Sequence, residues 1–264
     1  MADAKAPRGG AAWEFVLLTF VGGLLVAVTL VTVGLSITAS FLWLIWPFIV
    51  AFVVARRRGV SRSAWGLGVI DRRALYGAAL AAVVIAVATV IKVILGEDIS
   101  STLFGDSALT IMSVLVGFPI FFLMGAAIEI PWRGFLLTEF ARRGTASAIV
   151  WSSLAAVVWM IPSSLRSAGE GGWLYVILIL VALAAFQVVA AVLRIRSGSP
   201  YAPAAFYGLW MSVAMRGQVE PSVASAAISA GLLVLAAAVL IRFWLPRSDR
   251  WPLLLQEPAE TIVQ

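Results

Sequence analysis

Hydropathy leaves this 264-residue chain one class of fold. Eight apolar stretches, 13–35, 38–55, 75–95, 109–137, 146–162, 173–193, 201–215 and 222–242, read as crossings of a bilayer core of about 30 Å. Inside lipid every backbone polar group must find a partner within the chain, and a run of apolar segments does this as helices. The expectation is therefore an all-α polytopic membrane protein with eight transmembrane helices. The basic clusters at 5–8, 56–73, 142–143, 194–196 and 242–250 fall on one side of that arrangement, while Arg166 and Arg216 face Glu97, Asp98, Asp106, Glu170 and Glu220 on the other. This positive-inside pattern puts both termini in the cytoplasm. It also accounts for the net charge of +6 without nucleic acid as a partner. The organisation is a cytoplasmic tail over 1–11, a single transmembrane domain over 12–244 and a second cytoplasmic tail over 245–264. The first apolar run lacks a small-residue cleavage site and reads as a retained span.

Composition then removes chemistry. The chain has no cysteine and no histidine, so thiol nucleophiles, imidazole bases and the usual zinc ligands are excluded together. No cofactor and no metal are expected. The eleven tryptophans stand mostly near span ends, as an aromatic belt would place them. The loop 56–73 reads as a topological basic loop, with anionic-lipid contact anchored by Trp65 as its functional alternative. Small residues crowd the span 222–242, which suits close helix packing. The tail apolar residues Trp251 and Leu253 to Leu255 suit a segment lying along the interface.

One place in the apolar region carries charge. Glu129 and Arg133 are four residues apart, acid first, so a helix sets them on one face where they can pair. An uncompensated charge at mid-membrane costs roughly 2.5–3.5 kcal/mol on insertion scales, so the two must neutralise each other or line a polar cavity. In either case they point inward. Pro131 lies between them and lacks an amide hydrogen, which deprives the Ala127 carbonyl of its helical partner. Ser152 and Ser153 are the other polar pair within a span, and helix-to-helix hydrogen bonding is the ordinary use of such residues. No histidine or nearby lysine is present to activate them as nucleophiles. The aspartates lie in tails and loops, which leaves no pair for an aspartyl protease.

Three short motifs in this region resemble a known family. The run Glu129-Ile-Pro-Trp132-Arg133-Gly134 is similar to the first motif of the CAAX-protease and bacteriocin-processing (CPBP, or Abi) family, which has two adjacent glutamates, three residues and Arg-Gly. Ile128 stands where the first glutamate belongs. The run from Ser152-Ser153 to Trp159-Met160-Ile161-Pro162 resembles the second motif, with Met160 in the place of histidine. The run from Gly198-Ser199 through Tyr207 to Met211, with Trp210 beside it, resembles the third, with Tyr207 and Met211 replacing histidine and asparagine. The resemblance covers about 109–215, in the family order. It implies a conical eight-helix bundle around a polar chamber that opens to the cytoplasm.

The resemblance also implies what is missing. In the family the first glutamate is thought to act as general base on a water, oriented by the histidines and asparagine. Such a base needs hydrogen-bond reach of its water, and losing one oxyanion donor already costs about 10²–10³ in rate. Here Ile128, Met160, Tyr207 and Met211 replace four of those positions. Glu129 beside Arg133 is expected as a salt-bridged carboxylate of low basicity. For the pair itself, two readings stand: an ion pair that fixes its helix in the bundle, or part of a ligand chamber. The candidate cavity residues are Glu129, Arg133, Trp132, Ser152, Ser153, Trp159, Met160, Tyr207, Trp210 and Met211.

The leading expectation is a catalytically inactive CPBP-like protein that binds another membrane or envelope protein as scaffold or regulatory subunit. One alternative is a diverged endopeptidase acting on a peptide or lipidated tail. Another is binding or passage of a lipid or small amphiphile. The family, the short loops and the lack of cysteine point to a bacterial cytoplasmic membrane.

Overall fold

The computed structural model describes residues 10–34, 36–61, 65–67, 72–94, 107–166, 168–214 and 223–245. The readings made for most of both tails, Trp251 and Leu253 to Leu255 included, lie outside these residues. Every extended element among the described residues is a helix: α1 (Gly10–Thr32), α2 (Ser36–Arg58), α3 (Arg72–Ile94), α4 (Ser107–Glu129), a π-helical segment (Ile130–Leu136), α5 (Leu137–Ala141), α6 (Thr145–Arg166), α7 (Ala168–Ser197), α8 (Tyr201–Ala214) and α9 (Val223–Trp244). Among the described residues, a helix covers most of each of the eight expected apolar stretches. Stretch 109–137 is composite, made of α4, the π segment and the start of α5.

Six stretches among the described residues are long and apolar enough to cross a membrane: Gly10–Thr29, Ala74–Ile91, Val116–Ala141, Thr145–Pro162, Gly172–Ser197 and Val223–Phe243. Helix α8, with 14 residues, spans about 21 Å at 1.5 Å per residue and falls short of the hydrocarbon core. Its role is packing against α4 and α3. The outward faces carry Leu25, Leu123, Leu174 and Leu235, all more than half exposed. Contiguous apolar exposure of this kind is what lipid contact requires. Together these features define an integral membrane protein.

Several contacts identify one common end of the bundle. Glu14 near the start of α1 pairs with Arg57 at 3.0 Å and with Arg58 at the end of α2. Trp13 meets Phe140 of α5 and Trp151 of α6 edge-on at 5.5 and 5.7 Å. The turn 65–67 lies against Gly198 at the end of α7. The same end collects Arg56 to Arg58, Arg72, Arg142, Arg143, Arg194 and Arg196.

Within the bundle, close approach depends on glycine. A side chain at Gly23 would run into the ring of Trp159, and one at Gly22 would lie 2.5 Å from the ring of Trp46. The indole of Trp46 donates to the Leu18 carbonyl at 3.3 Å, and Trp43 stacks on Trp159 at 3.7 Å with the rings 6° apart. Tryptophan therefore has two uses here. Trp13, Trp151 and Trp173 are exposed as a belt would have them, but Trp65, Trp132 and Trp159 belong to the core. The aromatic-belt expectation is corrected for these three, because their rings pack inside the bundle against Phe135, Phe15 and Trp43 respectively.

Candidate functional site

The centre of the bundle is a sealed polar cluster. Glu129 ends α4 and Arg133 lies one turn further on, in the π segment; both side chains are 0% exposed. The Arg133 Nε is 3.5 Å from Glu129 Oε2, an electrostatic pairing without a directed hydrogen bond. Around Pro131 the continuous helix leaves the α conformation for the wider π turn, as helices do at a proline that lacks an N–H. Residues 131–140 are buried without interruption.

Arginine at this depth needs more than one partner. Arg133 Nη1 donates to Ser152 Oγ on α6 at 3.2 Å, and Nη2 donates to the Gln187 carbonyl on α7 at 2.9 Å and to the Gln187 side-chain Oε1. Three helices are thereby tied to one guanidinium. The two oxygens of Glu129 accept no hydrogen bond, so its charge is balanced by Arg133 alone. Ile128 beside it is buried and apolar.

The expected candidates fall into three groups. Glu129, Arg133 and Ser152 meet directly, whereas the Ser153 hydroxyl is buried without a partner. Trp132 packs edge-on against Phe15 at 5.4 Å and lies 6.4 Å from Trp159, which the Trp43 stack holds from the other side. Tyr207 and Trp210 both meet Phe186 edge-on, at 6.2 and 5.9 Å, and Tyr207 also packs against Gly125, one helical turn before Glu129. Met160 and Met211 are half-buried on α6 and α8. Trp132 and Trp159 are buried, whereas Met160, Tyr207, Trp210 and Met211 are partly buried.

Gln187 was not among the expected residues. It is the one carboxamide in the apolar run 173–193, and that isolation was a usable signal. Gln187→Leu keeps the shape but removes one acceptor from a buried cation. An acceptor lost in this way costs about 1–3 kcal/mol, so we expect earlier thermal unfolding in detergent. A melt identical to that of the native protein would show that the amide contributes nothing.

Arg194 was also missed as an interior residue. Its Nε donates to the Arg133 carbonyl at 3.1 Å, and the side chain is 0% exposed. Trp65, considered as an interfacial anchor, is 2% exposed and packs edge-on against Phe135 at 5.4 Å. The anchoring role of Trp65 is overturned, because the turn 65–67 packs against Gly134 of the π segment. No group of three metal-binding side chains occurs among the described residues.

A polytopic helical membrane protein whose buried glutamate and arginine sit either side of a proline in a π-helical segment is the class these features define. Residues 110–213 match the family model described as Rce1-like, type II CAAX prenyl endopeptidase Rce1-like, and over this central segment the chain is similar to the CAAX-protease (CPBP) family. None of the curated proteins matches the chain.

Proposed function

We propose that this protein is a catalytically inactive CPBP-like membrane protein that binds another membrane or envelope protein, in a bacterial cytoplasmic membrane with both termini inside. One observation carries the reading. The only carboxylate of the first motif, Glu129, is wholly out of solvent reach and held 3.5 Å from an arginine that is itself engaged by Ser152 and Gln187. A general base must reach a water, and a carboxylate that is 0% exposed has none within reach. The burial of Trp132 against Phe15 and of Trp159 against Trp43 supports the same reading.

Purification in mild detergent with mass spectrometry of all that accompanies the protein tests the binding role. A stoichiometric protein partner is expected. Recovery of the chain alone, or with lipid alone, would remove the support for a scaffold. A prenylated CAAX-type peptide tests the chemistry: the native chain and Glu129→Gln should both leave it intact. Cleavage that disappears in Glu129→Gln would reinstate the endopeptidase.

A further inference from the structure

Three exposed side chains from separate parts of the chain surround one buried ring at the basic end of the bundle. Phe140 of α5 is 1% exposed. Trp13 of α1 meets it edge-on at 5.5 Å, Trp151 of α6 lies 6.5 Å from it, and the Arg143 guanidinium sits over it at 6.0 Å. Trp13 and Trp151 also meet each other at 5.7 Å, yet stay 43% and 41% exposed. The polar groups of all three are donors. Among the described residues no carboxylate pairs with Arg143, and no acceptor meets the indole N–H of Trp13 or Trp151. The nearby carboxylates are engaged elsewhere: Glu14 with Arg57 and Arg58, and Glu139 with Arg142 at 3.3 Å.

An apolar track leads away from this cluster. Helices α1 and α6 run from it side by side, joined through Trp13 and Trp151 at one level and through Phe20 and Trp159, at 5.7 Å, two turns deeper. Leu17 and Val21 follow Trp13 on the exposed side of α1, and Leu154 and Val158 follow Trp151 on that of α6. From Trp13 to Leu25 is about 18 Å at 1.5 Å per residue, close to the depth of one leaflet of a core of about 30 Å. The molecule that complements such a surface has an anionic, acceptor-rich head and an aliphatic tail one leaflet long. Indoles at headgroup depth offer it an apolar body with a wet N–H, and the free arginine offers it charge. Anionic headgroups are concentrated on the cytoplasmic side, to which the positive-inside bias assigns this end.

We propose that the seam between α1 and α6 holds one anionic phospholipid, its phosphate paired with Arg143, its ester oxygens beside the indole N–H groups of Trp13 and Trp151, and an acyl chain along Leu17 and Leu154. Annular lipid exchanges freely and is indifferent to headgroup charge. A lipid at this seam is retained and selected by charge.

The full chain is extracted in mild detergent, and native mass spectra are recorded before lipid is stripped and again after phosphatidylglycerol or phosphatidylcholine is supplied. Thermal melting reads stability. One phosphatidylglycerol per chain should be retained, raising the melting temperature by about 5 °C at lipid a hundredfold above its dissociation constant, with no comparable effect from phosphatidylcholine. Arg143→Gln should weaken that retention about fivefold, the effect of one interfacial arginine. Trp13→Phe with Trp151→Phe keeps rings against Phe140 but removes both N–H groups, and should weaken it further without changing the melt of the stripped protein. Arg242→Gln, an exposed arginine on α9, should change nothing. Equal retention of the two lipids, or retention of phosphatidylglycerol unchanged in Arg143→Gln, would overturn the proposal. A protein adduct that Arg143→Gln releases, whether a second copy or another chain, would give this surface to a protein and overturn it too. The lipid result does not depend on cleavage or on a partner elsewhere on the bundle, so it stands or falls apart from the proposed function.

Discussion

Arg133→Ala should destabilise the protein by about 3–5 kcal/mol, and adding Glu129→Ala to it should restore part of that loss. The single change leaves a carboxylate that is 0% exposed with nothing to balance it, because Arg133 is the only group paired with Glu129. That carboxylate must take up a proton or drag its helix toward water. In the double variant Ser152 and Gln187 lose the same partner as in the single one, so the difference between the two isolates the stranded charge. Neighbouring residues of this kind are expected to be strongly non-additive. Thermal melts in detergent give the comparison. Equal melting temperatures would show that the pair is not what holds the π segment in the bundle.

The second large effect concerns the α4 and α8 contact. A Cβ at Gly208 would stand 2.9 Å from the Phe122 amide nitrogen and 3.0 Å from its Cα, and a Cβ at Gly125 would stand 2.7 Å from the Ala204 carbonyl. These obstacles are backbone, which does not turn aside as a side chain does. Gly208→Ile must therefore push the helices apart, with Tyr207 and the turn before Glu129 displaced as a consequence. Overpacking costs typically about 1–3 kcal/mol, and a backbone clash on both helices places this substitution at about 3 kcal/mol or beyond. Gly231→Ile on α9 is the control, since a Cβ there meets nothing within 4 Å. If the two variants melted alike, close approach of α4 and α8 would not be a source of stability.

The chemistry of the central cluster follows from its geometry. A carboxylate acts as a base only if water reaches it, and Glu129 is 0% exposed beside Arg133. The motif residues that remain hold helices together. Arg133 in particular joins α6 and α7 to the π segment through Ser152 and Gln187, which makes it a tertiary tie as well as half of an ion pair.

Local physics made part of this legible. Hydropathy located the helices, because the cost of leaving lipid is additive along a segment and independent of what packs beside it. The Glu129–Arg133 pairing was legible for the same reason, since four-residue spacing on a helix is a local geometry and survives the π turn at 3.5 Å. The departure from α-helix at Pro131 was half visible: the missing amide was plain in the sequence, the widened turn was not.

Non-local partners were beyond reach. Gln187 is 54 positions from Arg133 and Arg194 is 61, so nothing in their spacing announces that they converge. Arg194 counted as one more charge on the cytoplasmic side, and Trp65 as an aromatic at the interface, because one-dimensional reading assigns a residue by its distance from a span end. Tertiary packing folds the turn 65–67 over the end of α7 and removes both from solvent. The sequence alone determined the class of fold, its helices and the acid–base pair at its centre, since these depend on segment hydropathy and helical repeat. Only the tertiary structure decided which charges are sealed, which are paired and which is left with empty donors, because burial is a property of neighbours that the chain brings together from far apart.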